Sequence, residues 1–271
     1  VSAPDGYVGL SLLYLATDQP DKAYQVLDDG LKVAPGSALI YDAKGDAALK
    51  RGDFAQAVKD YEQAVALQPT LFVPYLSLGN AYLSRAQWDK SEAAYKTAIQ
   101  IAPLVMGTHV SLANLYLLRG QADLALPVIE KALDYNPRSA EAWVALGDYH
   151  TQATGFAAAQ PDYIKAIAME PTYAPAYTAA GDGYRFLGVH NKADEEYRRG
   201  MEMAPIIPQN YLSLGGHLLD RGRMAEALEV YTQVTNVVPT AGSAWHDLGA
   251  AEAVAGHFDA AVDHADFLAG P

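Results

Sequence analysis

Along the whole chain, apolar residues return at intervals of three and four, the spacing of one helix face. They do not alternate as in a half-buried strand. Two kinds of residue interrupt the pattern. Gly52, Gly120, Gly188, Gly222 and Gly256 stand between successive apolar stretches, where a helix is expected to end in the left-handed region. Pro35, Pro69, Pro103, Pro137, Pro171, Pro205 and Pro239 recur every 34 residues and stop the helix before them, because proline has no amide to donate. The chain therefore reads as repeated pairs of amphipathic helices, each leaving an apolar flank that only a neighbour can cover.

Set in rows of 34, residues 4–37, 38–71, 72–105, 106–139, 140–173, 174–207, 208–241 and a truncated 242–271, the sequence falls into columns. One is aromatic: Tyr7, Tyr41, Tyr75, His109, Trp143, Tyr177, Tyr211, Trp245. Three residues on stand Leu10, Lys44, Leu78, Leu112, Leu146, Ala180, Leu214 and Leu248. The next position is always small: Ser11, Gly45, Gly79, Ala113, Gly147, Gly181, Gly215, Gly249. A second small column is Ala23, Ala57, Ser91, Ala125, Ala159, Ala193, Ala227, Ala261. Small residues let two helix backbones approach, and the aromatic and leucine columns fill the remaining groove.

This arrangement resembles the tetratricopeptide repeat family, most clearly in Tyr75-Leu78-Gly79-Tyr82-Ser91-Tyr95-Ala98-Pro103 and in Tyr177-Gly181-Tyr184-Ala193-Tyr197-Pro205. The resemblance covers essentially the whole chain. It implies an all-α fold, a right-handed α-solenoid of about eight stacked helix-turn-helix repeats forming one domain over residues 1–271.

Some positions depart from the pattern. Lys44 replaces a core leucine between Asp42 and Asp46, and its stem is expected to pack while its ammonium reaches solvent. Pro127 and Pro161 lie inside second helices and are expected to kink them. Pro4, Pro20, Pro74, Pro175 and Pro208 sit at helix starts, where proline is tolerated.

Composition narrows the function. There are no cysteines, which removes disulfides, thiolate metal sites and cysteine nucleophiles. A net charge of −13 argues against a nucleic-acid partner, which needs a basic face, and favours a basic or neutral protein partner. No apolar run approaches membrane-spanning length and no signal-peptide pattern opens the chain. The chain starts at Val1 rather than Met, which leaves room for a leader or an upstream domain. Family analogy alone points toward a bacterial envelope assembly, with the cytoplasm as the alternative compartment.

In tetratricopeptide repeats the first helix of each pair lines the concave face. Carried onto this sequence, that gives three stripes. The first is Val8, Asp42, Leu76, Val110, Val144, Thr178, Leu212. The second is Leu12, Asp46, Asn80, Asn114, Asp148, Asp182, Gly216, and the third Leu15, Leu49, Leu83, Leu117, Thr151, Arg185, Leu219. Positions i, i+4 and i+7 share a helix face, so the stripes are adjacent. The expected peptide-binding residues are Asp46, Leu49, Leu76, Asn80, Leu83, Val110, Asn114, Leu117, Val144, Asp148, Asp182 and Arg185. The Asn/Asp ladder would pair with a peptide backbone or with basic side chains, and the flanking apolar stripes would bury apolar anchors. The lysine and arginine clamp that binds acidic chaperone tails is absent. The column of the asparagine ladder of O-GlcNAc transferases reads Gly9, Ala43, Ser77, Ser111, Ala145, Ala179, Ser213.

Catalytic chemistry is not apparent. His109 and His150 fall in aromatic columns and are expected to be buried, hydrogen-bonded imidazoles. A metal site at His257, Asp259, Asp263 and His264 is disfavoured, and no metal or other cofactor is expected. The reading is a non-enzymatic scaffold that binds a peptide or helical segment of a partner in its concave groove, as part of a multiprotein assembly. Its rivals are the repeat arm of a larger enzyme or secretion machine, and a structural subunit docking through its terminal repeats.

Overall fold

The computed structural model describes residues 3–257, and among these it contains fifteen α-helices. They are α1 (Ala3–Ala16), α2 (Pro20–Val33), α3 (Ala38–Lys50), α4 (Phe54–Leu67), α5 (Phe72–Ser84), α6 (Trp88–Ile101), α7 (Met106–Leu118) and α8 (Ala122–Tyr135). Then follow α9 (Ala140–Ala153), α10 (Phe156–Met169), α11 (Ala174–Phe186), α12 (His190–Met203), α13 (Pro208–Asp220), α14 (Met224–Val237) and α15 (Gly242–Ala255). The helices gather into two compact units, one up to Tyr135 and the other from Asn136. Within each, an odd-numbered helix packs on the even-numbered helix after it, and that helix packs on the next odd one. Consecutive odd helices also touch, α3 with α5 and α5 with α7 in the first unit, α9 with α11 and α11 with α13 in the second. One face of each unit is thus built from first helices. Ala261 and the rest of the eighth row beyond His257 lie outside the described residues.

Proline sets the end of each pair. The residue before it caps the second helix outside the helical region, with φ from −129° to −142° and ψ from 68° to 90° at Ala34, Gln68, Ala102, Glu170, Ala204 and Val238. A following proline disfavours the helical region for its neighbour by steric clash. Pro127 and Pro161 do not end their helices: α8 and α10 run through them without interruption.

What the small column admits is a tyrosine ring. A Cβ added at Gly45, Gly79, Gly147, Gly181 or Gly215 would fall 2.3–2.4 Å from Tyr61, Tyr95, Tyr163, Tyr197 or Tyr231, sixteen residues on. In the second small column, Ser91 donates from Oγ to the Gly79 carbonyl at 2.8 Å. Where the first column reads Ala113 the residue sixteen on is Ile129, and where it reads Ser11 it is Leu27, both fully buried. Added bulk on one helix is matched by a smaller or aliphatic residue on the other, as close packing requires.

Turns between paired helices use a left-handed residue at Gly52, Gly120, Gly188 and Gly222, with φ from +69° to +77°, and Gly256 caps α15 at +85°. Asp18 and Ala86 hold the same turn position with φ of +56° and +55°. The fifth row differs. Its first helix is 14 residues long against 13 in α7 and α11, and Gly155 at φ +98°, ψ 166° opens α10 directly. Only glycine enters that region cheaply. Phe156, next in line, is 3% exposed where its counterpart Phe54 is 43% exposed. Its ring stacks on Tyr163 and meets Tyr184 edge-on, over Gly183, where any Cβ would collide with it.

Lys44 differs from the expectation of a solvated ammonium. It is 7% exposed; its Nζ donates to Asp28 at 2.6 Å and lies 4.4 Å from the Tyr24 ring centroid. The flanking Asp42 and Asp46 are not its partners in any ion pair. Desolvation opposes its charge, but Asp28, Asp60 and Tyr24 outweigh this and its pKa is raised.

Candidate functional site

On the first-helix face, the Asn/Asp column is a set of acceptors for the buried tyrosines. The hydroxyl of Tyr61 donates to Asp46 at 2.6 Å, Tyr95 to Asn80 at 2.7 Å, Tyr163 to Asp148 at 2.9 Å and Tyr197 to Asp182 at 2.6 Å. Four of the five tyrosines that fill a glycine's space thus end on the residue after that glycine. Asn114 is exposed and follows Ala113, whose partner position is Ile129, with no hydroxyl to offer. Gly216 offers no side-chain acceptor to Tyr231, whose pKa is pushed up to about 12 by burial and then by Asp247 and Asp220. A Tyr fifteen residues after Asp46, Asn80, Asp148 and Asp182 is a signal the sequence carries.

In the first unit, Leu49, Leu76 and Leu83 are half-buried beside Asp46 and Asn80. Val110 and Leu117 are each only 8% exposed, so they belong mainly to the packing and not to an open groove wall. Asp42 sits beside Asp46. Burial, with the Asp46 charge adding to it, raises its carboxyl to about 7 despite a hydrogen bond with Ser77, and its Oδ1 is buried without a partner. Asp46 is raised too, by burial, against the Tyr61 hydrogen bond. Asp46 is solvent-accessible by area, and its carboxyl is still desolvated because protein surrounds it along the face.

In the second unit the same stripes form a cleft of about 460 Å³. Val144, Asp148 and Thr151 of α9 line one side, and Thr178, Ala179, Asp182 and Phe186 of α11 the other. Ile207 and Gln209 border it where α13 begins, and Phe156 and Tyr163 also line it. Phe186 is 83% exposed. The Asp148 carboxyl is raised first by burial, then by Asp182, against the hydrogen bond from Tyr163. Arg185, on α11, pairs with Asp220 at 3.3 Å and is not part of the lining. Five cleft residues stand in the predicted stripes. Phe156, Phe186, Ile207 and Gln209 do not, because they enter through the row-five turn, a helix end and a connector, which vary from row to row.

His109, His150 and His217 are buried or half-buried in the helix packing. His109 is buried, with Nδ1 3.3 Å from the Val105 carbonyl. His150 is half-buried, its Nδ1 2.6 Å from Asp162. His217 is fully buried near Asp194, and its ring is 5.3 Å from that of His190. Among the described residues no group of three or more His, Asp or Glu is placed to hold a metal ion. Asp259, Asp263 and His264 lie outside them. No helix among the described residues is long and apolar enough to cross a membrane.

Paired helices in a 34-residue register, with glycine-tyrosine packing and a face of first helices, define a helical-repeat protein. A model of the TPR repeat matches residues 45–85, and a model of the tetratricopeptide repeat matches residues 110–167. Over these two stretches the chain carries tetratricopeptide repeats. No curated protein sequence matches it. Among solved structures, yeast Tom70 is similar with a TM-score of 0.76 at 15% identity, over 92% of this chain and 53% of Tom70. A tetratricopeptide repeat protein from Parabacteroides merdae gives 0.65 at 13% identity, over 92% of this chain and 98% of that one. The APC/C hetero-tetramer Cut9-Hcn1 gives 0.63 at 15% identity, over 91% and 49%. The likeness is one of fold, and this chain spans about half the length of the Tom70 and Cut9-Hcn1 chains.

Proposed function

We propose that this protein is a non-enzymatic scaffold whose first-helix face binds a peptide or helical segment of a protein partner. The observation that carries this reading is the cleft of the second unit. An open depression of about 460 Å³, with apolar walls, an exposed Phe186 and a few polar side chains held in place by tyrosine hydroxyls, is the form of a recognition site. The similarity to a chain of the Cut9-Hcn1 hetero-tetramer supports a role in assembly.

The test compares wild type with Phe186→Arg and with Leu83→Arg as full-length bait in native lysate, read by mass spectrometry. Both side chains are at least partly exposed, so neither change has to unfold the chain. Leu117→Arg would place a charge in the core and confuse binding with folding. A partner captured by wild type is expected to be lost with Phe186→Arg. Equal capture by all three proteins would remove the first-helix face as the binding surface. A second reading, docking through α1, is favoured by the exposed Leu10, Leu12 and Leu13 on that helix. A native mass that rises with protein concentration, and stops rising in Leu13→Glu, would support it.

A further inference from the structure

The second-unit cleft combines features that an apolar ligand alone would not match. Its lining holds two carboxylates, Asp148 and Asp182, and neither lysine nor arginine. Each accepts at Oδ1 from a tyrosine hydroxyl, Tyr163 at 2.9 Å and Tyr197 at 2.6 Å, which fixes its orientation and leaves Oδ2 for a ligand. Around them stand Val144, Phe186 and Ile207, which suit an alkyl stem. Covering these carboxylates with a purely apolar segment would strip their water and return nothing. A cation on an alkyl chain satisfies both parts of the lining at once.

We infer that this cleft takes the lysine or arginine side chain of a peptide segment, with apolar residues on either side of it. The inference rests on the first-helix face being the binding surface and names the chemistry recognised there. Its volume accommodates one long side chain and part of its neighbours.

The test is selection of random 12-residue peptides displayed on phage against the full chain, then fluorescence polarisation with the synthetic winners. Enriched peptides are expected to carry a basic residue beside apolar ones. Replacing that residue by norleucine should weaken binding about tenfold or more, and so should Asp148→Asn with Asp182→Asn. Asparagine keeps the acceptor for the tyrosine, as Asn80 does for Tyr95, so this variant should fold. Glu202→Gln with Glu229→Gln removes the same charge from exposed sites outside the cleft and should change affinity less than about twofold. Winners without a basic residue that are lost in Phe186→Ala would overturn the inference and keep the groove. Basic winners bound equally by the Asp148→Asn/Asp182→Asn variant would also overturn it. An absence of any winner sensitive to Phe186→Ala would overturn the groove reading along with it.

Discussion

The two units carry the same stripes on their first-helix faces and make different surfaces from them. In the unit up to Tyr135, Val110 and Leu117 sink into the packing, and the polar column runs Asp46, Asn80, Asn114. In the unit from Asn136, Val144, Asp148, Thr178 and Asp182 border an open cleft walled by Phe186 and Ile207. The repeat register is common to both, so it does not make the cleft by itself. Phe156, Phe186 and Ile207, from outside the columns, complete its walls. A stacked repeat fixes where side chains emerge, and connectors and helix ends decide what that face can hold.

The largest effect should come from disturbing the glycine-tyrosine packing on which both faces rest. Gly147→Leu drives a side chain into the Tyr163 ring, 2.4 Å from where its Cβ would lie. The expected loss is about 1–3 kcal/mol by urea unfolding. The first unit supplies the comparison, since Ala113 there already lives with Ile129. Gly147→Ala and Tyr163→Ile should therefore be less damaging together than the sum of each alone, with a coupling of roughly 1 kcal/mol. Additive effects would mean the two positions do not share one space.

A smaller effect separates the units by acidity. Asp42 has its folded pKa raised to about 7 by burial and by Asp46, above an unfolded value of 3.8. The folded state therefore binds its proton more readily, and ionised Asp42 costs stability above pH 7. The penalty shrinks as pH falls and is gone below about 3.8. Asp42→Asn should stabilise the first unit by roughly 1–2 kcal/mol at pH 8, allowing for screening, and by almost nothing at pH 4. A pH-independent gain in urea melts would place the effect in packing instead.

His217 in the second unit works in the opposite direction. Burial lowers its pKa and His190, Arg221 and Arg185 lower it further, while Asp194 raises it. The unfolded chain takes the proton first. The contribution of His217 to stability is complete above about pH 6.5 and is lost as pH falls below that value. The slope from one such group is at most about 1.4 kcal/mol per pH unit. Between pH 7.5 and 5 the melting temperature of wild type should fall relative to that of His217→Leu. Parallel curves would show that His217 does not titrate in the fold.

Much of this architecture was legible in the sequence because a 34-residue period repeats its errors as well as its rules. Helix pairing, the proline stops and the left-handed glycines all follow from residues whose backbone limits are strong. The site was less legible. Asp46, Asn80, Asp148 and Asp182 were placed on the right face, but their bonds to Tyr61, Tyr95, Tyr163 and Tyr197 join two helices and leave no mark in one helix's pattern. Lys44 was misjudged because Asp28 reaches it from the preceding helix, not from its own. The row-five turn was missed because Gly155 stands one place later than its counterparts, a shift that changes the burial of Phe156 entirely.

The smallest effect concerns the turn itself. Ala86 holds φ +55° where other rows use glycine at φ near +70°. A left-handed alanine costs about 1–2 kcal/mol against its Cβ, and glycine gives back about 0.5–1 kcal/mol through the freedom of the unfolded chain. Ala86→Gly should therefore stabilise the first unit by about 0.5 kcal/mol. The same change at Asp18, also left-handed, should gain less, because aspartate tolerates this region better than alanine. Equal gains at the two sites would show that the turn's cost depends on the backbone alone. Destabilisation at Ala86 would show instead that its methyl packs favourably enough to outweigh the strain.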